Sequence, residues 1–192
     1  MRRLLSALIV TLIPAAALAC GGPVGSSFSY YAPTYGQSSV RHGRSWGPEQ
    51  VTGTPDTMMA GDMVTAWASQ TPDEHNEWLQ LTYRKAVNPT KISIYETFNP
   101  GAVVKVTVFK GNKEVTVWDD EDPVIVDGTT GIGIAEIPVD IDFATRKVKI
   151  YLDSKEIMGW NEIDAVSMTD AKGKDFWAVS AKASSTFAAP MQ

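Results

Sequence analysis

The chain holds one cysteine and two histidines in 192 residues, and that scarcity removes whole classes of architecture and chemistry. A lone thiol forms no intramolecular disulfide framework and no zinc site built on paired cysteines. His75 lies in a polar stretch with Pro72, Asp73, Glu74 and Asn76, and His42 in a Gly/Ser/Tyr-rich one, neither beside an evident nucleophile. Basic residues are the minority, 17 against 22 acidic ones, for a formal charge of −5. No broad field therefore draws the chain to nucleic acid or to an acidic membrane surface. There is no His-Glu-x-x-His, no Gly-x-Ser-x-Gly, and no phosphate loop beyond the isolated Gly131-Ile132-Gly133. The chain is read as non-enzymatic, with a cryptic hydrolase kept as a remote alternative because the two acids of a glycosidase can meet from distant strands. No apolar run reaches the roughly 20 residues of a spanning helix, and no long stretch has helical periodicity.

What is present begins with an address. Met1-Arg2-Arg3 is followed by a nearly unbroken apolar run, Leu4 to Leu18, and by the small residues Ala17 and Ala19, the pattern of a bacterial-type export signal over residues 1–19. Without Arg2 and Arg3, 15 basic residues face 22 acidic ones, a charge of −7. Cys20 and Gly21-Gly22 resemble the end of a lipoprotein lipobox, with Ala17 where leucine is usual. Lipidation of Cys20 would tether the product by lipid alone; ordinary cleavage leaving a free amino-terminal cysteine is the competing account. Residues 20–45, rich in Gly, Ser, Pro and Tyr, read as a flexible tether.

From Trp46 to Met168 the pattern is short β-type runs divided by turn residues, the size of one compact domain. Leu79, Leu81 and Tyr83 alternate with Gln80 and Thr82; Val104, Val106 and Val108 with Lys105 and Thr107; Val148, Ile150 and Leu152 with Lys149. Such period-two rows predict half-buried strands with those apolar residues facing a core. Runs at 91–96, 115–118, 132–139 and 162–168 bring the number to about eight. Asn99-Pro100-Gly101, Gly111-Asn112 and Asp127-Gly128 supply reversals. The expectation is an all-β antiparallel sandwich or jelly roll over 46–168, then a tail over 169–192 that either pairs along a sheet edge or is the stub of a lost tandem module.

Several strings carry a family likeness: Gly53-Thr54-Pro55-Asp56-Thr57, Gly61-Asp62 with Thr65-Ala66-Trp67-Ala68, Glu77-Trp78-Leu79, Ile94 to Val103 (IYETFNPGAV), and Trp160 to Val166 (WNEIDAV). In this order they resemble the pappalysin-type SD scarf domain, a branch of the galactose-binding-like, discoidin-related jelly rolls. The resemblance implies a two-sheet sandwich that binds saccharide or protein, without catalysis, and often with a structural calcium. By that resemblance Asp56, Asp62, Thr65 and Glu162 would supply calcium oxygens, of which the ion needs six to eight. The bland alternative makes Asp56 a turn residue, leaves Asp62 solvated and pairs Glu162 with a lysine. Asp119-Asp120-Glu121-Asp122 reads as a solvated acidic turn.

Trp67, Trp78 and Trp118 lie in strand-like runs and read as packing residues. Trp46, at the domain entrance, and Trp160 with Asn161, where a loop meets the last strand, are the candidate ligand contacts, since an exposed ring stacks on a sugar face. The functional expectation is an exported binding module, membrane-anchored or free in the periplasm or outside, recognising glycan or an envelope protein. The alternative is a structural envelope assembly protein without a small ligand.

Overall fold

The computed structural model describes residues 43–190, so the export signal, Cys20 and most of the tether lie outside the described residues. A short 3-10 turn, Pro48–Val51, precedes ten strands: β1 Trp67–Ala68, β2 Glu77–Val87, β3 Pro89–Phe98, β4 Val103–Lys110, β5 Lys113–Trp118, β6 Val124–Val126, β7 Gly133–Pro138, β8 Thr145–Leu152, β9 Glu162–Asp170 and β10 Asp175–Ala183. Every strand pair is antiparallel, and the pairing order is β5-β4-β8-β2-β10-β9-β3-β7-β6, with β1 added on β9. The chain is all-β, as the alternation predicts.

The segment after residue 168 continues β9 to Asp170 and then forms β10. β10 pairs along a sheet edge twice: its first half with β9 (Phe176 opposite Met168) and its second half with β2 (Ala181 opposite Leu81). An irregularity between Ala178 and Ser180 bends the strand from one sheet into the other. β10 therefore joins the two halves of the curled sheet. Where the two halves face each other, Leu79, Leu81, Val106, Val148 and Ile150 meet Ile92, Ile94, Ile137, Val166 and Met168, all fully buried. Tyr83 bridges the layers, its hydroxyl donating to the Val166 carbonyl at 3.3 Å. Each such aliphatic side chain contributes about 1.5–3 kcal/mol by leaving water.

The β4 row differs from its prediction at one residue. Val106 and Val108 are buried, but Val104 faces out and Val103 faces in. The β4–β8 register slips between Val103 and Lys105, and a one-residue slip exchanges faces.

β9 is buried along both sides of eight of its nine residues. One side packs in the core. The other is covered by chain from the 53–66 segment, and the acids Glu162 and Asp164 lie under it with almost no exposure.

Candidate functional site

Two acids two residues apart on β9 share a strand face, and the 53–66 segment is fastened to them. Glu162 Oε2 accepts from the Met63 amide at 3.0 Å, and Asp164 Oδ2 accepts from the amides of Asp56 (3.0 Å) and Thr57 (3.2 Å). A second acid approaches each: Asp62 comes within hydrogen-bonding reach of Glu162, and Asp56 of Asp164. Burial, with that second carboxyl, pushes Glu162 up to about 8 and Asp164 up to about 7, while the donated amides oppose the rise. Thr65 is buried, its hydroxyl 2.6 Å from that of Thr57.

The four residues expected to ligate calcium thus stand in two groups, Asp62 with Glu162 and Asp56 with Thr65 and the unforeseen Asp164. Asp62 Oδ1, Glu162 Oε2 and Asp164 Oδ2 each accept from a protein donor, and among the described residues no three His, Cys, Asp or Glu side chains are arranged to share a metal ion.

Trp46 sits beside the first pair. Its backbone is left-handed (φ 56°), an unusual state for a bulky residue, and neighbours hold it there. Its amide donates to the Val64 carbonyl, its carbonyl accepts from the Ala68 amide and the Thr186 hydroxyl, and its indole N–H donates to Asp62 Oδ1 at 2.8 Å. Arg44 already belongs to the fold, paired with Glu49 at 2.8 Å, so the ordered domain starts ahead of Trp46.

Trp160 is placed by an exchange between two asparagines. Asn99, at φ 44° in the β3–β4 reversal, donates its side-chain amide to the Trp160 carbonyl at 2.9 Å, and Asn161 returns a bond to the Asn99 carbonyl at 2.8 Å. Gly159 packs so close that a Cβ there would lie 2.7 Å from Asn99 Nδ2. Asn161 is buried behind Trp160 and does not line the pocket that Trp160 faces.

The third ring comes from the chain after β10. Ser184 and Ser185 hydroxyls donate to the Glu77 carboxylate, the Ser185 carbonyl accepts from the Trp67 indole, and the Phe187 amide donates to the Ala68 carbonyl. This strap brings Phe187 between the two tryptophans, 5.4 Å from Trp46 and 5.9 Å from Trp160 by ring centroids, both edge-to-face. With Phe98, Ala68, Asp62 and Glu162 they enclose a pocket of about 90 Å³. The structure thus brings together Trp46, Trp160, Asp62 and Glu162 from the sequence reading and adds Phe98 and Phe187. The Asp62 and Glu162 carboxyls come within hydrogen-bonding reach of each other, closer than the roughly 5–9.5 Å at which glycosidase acids stand.

A second buried acid pair lies elsewhere. Glu96 accepts from the Gly101 amide at 2.9 Å, and Asp122 from the Val103 amide at 2.8 Å, so the pair ties the β3–β4 reversal to the acidic turn. Burial, then the Asp122 charge, pushes Glu96 up to about 8. The last residue of that turn, Asp122, is thus half-buried and bonded to the fold, where the sequence reading left it solvated.

Comparison with known proteins places this architecture. F-box/LRR-repeat protein 4 of Bos taurus is 25% identical over 111 residues, which cover 53% of this chain and 18% of that protein. The match thus spans under a fifth of the length of that curated relative. The family model for the Pappalysin-1 SD scarf domain, C-terminal, a non-catalytic module, matches residues 24–178, most of the chain, including WNEIDAV and IYETFNPGAV. The chain belongs to the pappalysin SD scarf domain family.

Proposed function

We propose that this chain is an exported, non-catalytic binding module of the bacterial cell envelope that recognises a glycan or a protein partner. The pocket framed by Trp46, Trp160, Phe187 and Phe98 carries the reading, because it is concave, ring-lined and built by loops that several buried bonds hold in place. Lipid on Cys20 would hold the module at a membrane. Met58, Met59 and Met158, exposed on the 53–66 and 153–161 segments, favour a second reading in which a protein docks over this end and no small ligand is needed.

The test is binding of the full chain to a panel of glycans and polysaccharides, run beside cross-linking in the parent envelope, with Trp160→Ala in both. Saccharide binding that the variant loses supports the first reading. A cross-linked partner lost in the variant, with no saccharide bound, supports the second. Neither signal in the wild-type chain refutes the binding role of this pocket.

A further inference from the structure

We infer that this pocket is a receptor for an ammonium group, taking the head of a small organic cation between Trp46, Trp160 and Phe187 and against Asp62 and Glu162. The inference rests on the pocket being a binding site and adds the chemical class of its ligand.

The lining is one-sided in charge. Four of its seven residues are aromatic, two are acids, one is Ala68, and no lysine, arginine or histidine is among them. An aromatic face is the negative side of the ring quadrupole and attracts a cation within about 6 Å of its centroid. Phe187 meets Trp46 and Trp160 at 81° and 80°, so the rings stand as walls rather than stacked plates. Elsewhere the protein's own lysines occupy such faces: Lys149 lies 4.5 Å from Trp78, and Lys105 lies 4.0 Å from Tyr151. No cation–ring contact among the described residues involves Trp46, Trp160, Phe187 or Phe98.

Size narrows the class. At about 90 Å³ the pocket is well below the roughly 300 Å³ at which ligand-sized sites begin. A charged head with its first carbons fits, with the rest of the ligand outside.

The electrostatics agree with the geometry. Glu162 is 2% exposed and faces the Asp62 carboxyl, so ionising it costs free energy that a bound cation would offset. The groups facing Glu162 are Asp62 and the Met63 amide, with no basic side chain in the lining. A cation should therefore bind with release of a proton and gain affinity as pH rises from 6 to 9.

The full chain is titrated with choline and with 3,3-dimethylbutan-1-ol, its uncharged isostere, while the indole N–H resonances of Trp46 and Trp160 are followed by NMR. Choline should shift both and bind at least tenfold more tightly than the isostere, and Glu162→Gln, which keeps an acceptor for the Met63 amide, should remove that preference. Trp78→Ala, on another surface, should leave choline binding unchanged. Phe187→Ala removes a half-exposed ring and serves should a tryptophan variant fail to fold. Glucosamine against N-acetylglucosamine, with n-propylammonium beside them, separates an amino sugar from a lysine-like chain as the natural source. Equal binding of choline and its isostere overturns the ammonium assignment and leaves an apolar binding pocket standing. Silence toward every cation overturns it too, and the pocket's general role then fails only if glycan panel and cross-linking are also silent.

Discussion

Glu162→Gln should flatten the pH dependence of stability, by an amount the burial of this side chain sets. In the unfolded chain the carboxyl titrates near its ordinary 4.5; in the fold, desolvation beneath the 53–66 segment, with Asp62 alongside, raises it to about 8. Between those values the folded protein keeps a proton that the unfolded chain has released, so raising the pH favours unfolding. The stabilising contribution is complete below pH 4.5 and is lost as pH climbs to about 8, at ~1.4 kcal/mol per pH unit and at most ~5 kcal/mol in total. Local lifting of the covering segment relieves part of this, so a loss of about 2–5 kcal/mol is expected. Glu96 and Asp164, also raised, add slope of the same sign, which is why the comparison is with the variant and not with a flat line. Glu49 and Glu114 are lowered and act only below the ordinary carboxylate range, outside this window. The assay is urea unfolding at half-unit intervals from pH 5 to 9. The variant should fall by about one proton less across the window and be the more stable protein at pH 8.5. Parallel curves for the two proteins would show that Glu162 is not buried as a neutral acid.

Removing residues 175–192 should abolish cooperative unfolding and near-UV dichroism, because both β2 and β9 lose a partner; a folded truncated chain would contradict the central position of β10. Gly133→Ala should cost about 1–3 kcal/mol in chemical denaturation, since its Cβ would lie 2.6 Å from Val124 Cγ2 and 2.7 Å from Pro100 Cβ. Calcium titrated against chelator should leave the melting temperature unchanged, given the two separate carboxyl groups; a clear rise with calcium would mean that they regroup around the ion. Cys20→Ser should release the protein from membranes into the soluble fraction, and membrane association unchanged in the variant would remove lipid as the anchor.

Strand identity was legible in the sequence because alternation is local: Leu79, Leu81 and Tyr83, or Val148, Ile150 and Leu152, declare a face within a few residues. Val104 was misread for a reason no local pattern carries, a register slip against a strand more than forty residues away. The tail was legible as an edge strand, but its passage between two sheets was not, since Ala178, Ser180, Ala181 and Ala183 give weak alternation and small side chains suffice where a strand bends. At the site, Trp46, Trp160, Asp62 and Glu162 announced themselves by residue type and family likeness. Phe187 did not, because only the serine-anchored strap carries it back to the tryptophans. Asp164 and the Glu96–Asp122 pair were missed because a buried acid reads like any surface acid until the segment covering it is known.

β10 also sets an order of events. Each half of the curled sheet needs this strand, yet its partners β2 and β9 begin about a hundred and about a dozen residues earlier in the chain. Pairing Ala183 with Leu79 closes a loop of more than a hundred residues, so much of the ordering entropy falls due before the contact that offsets it, the situation in which folding is slow. A chain emerging from its amino terminus therefore cannot complete either sheet until residues near 183 are free. Up to that moment β2 and β9 keep open edges, and a translocation machine or a chaperone would meet an unfinished, threadable polypeptide rather than a closed domain.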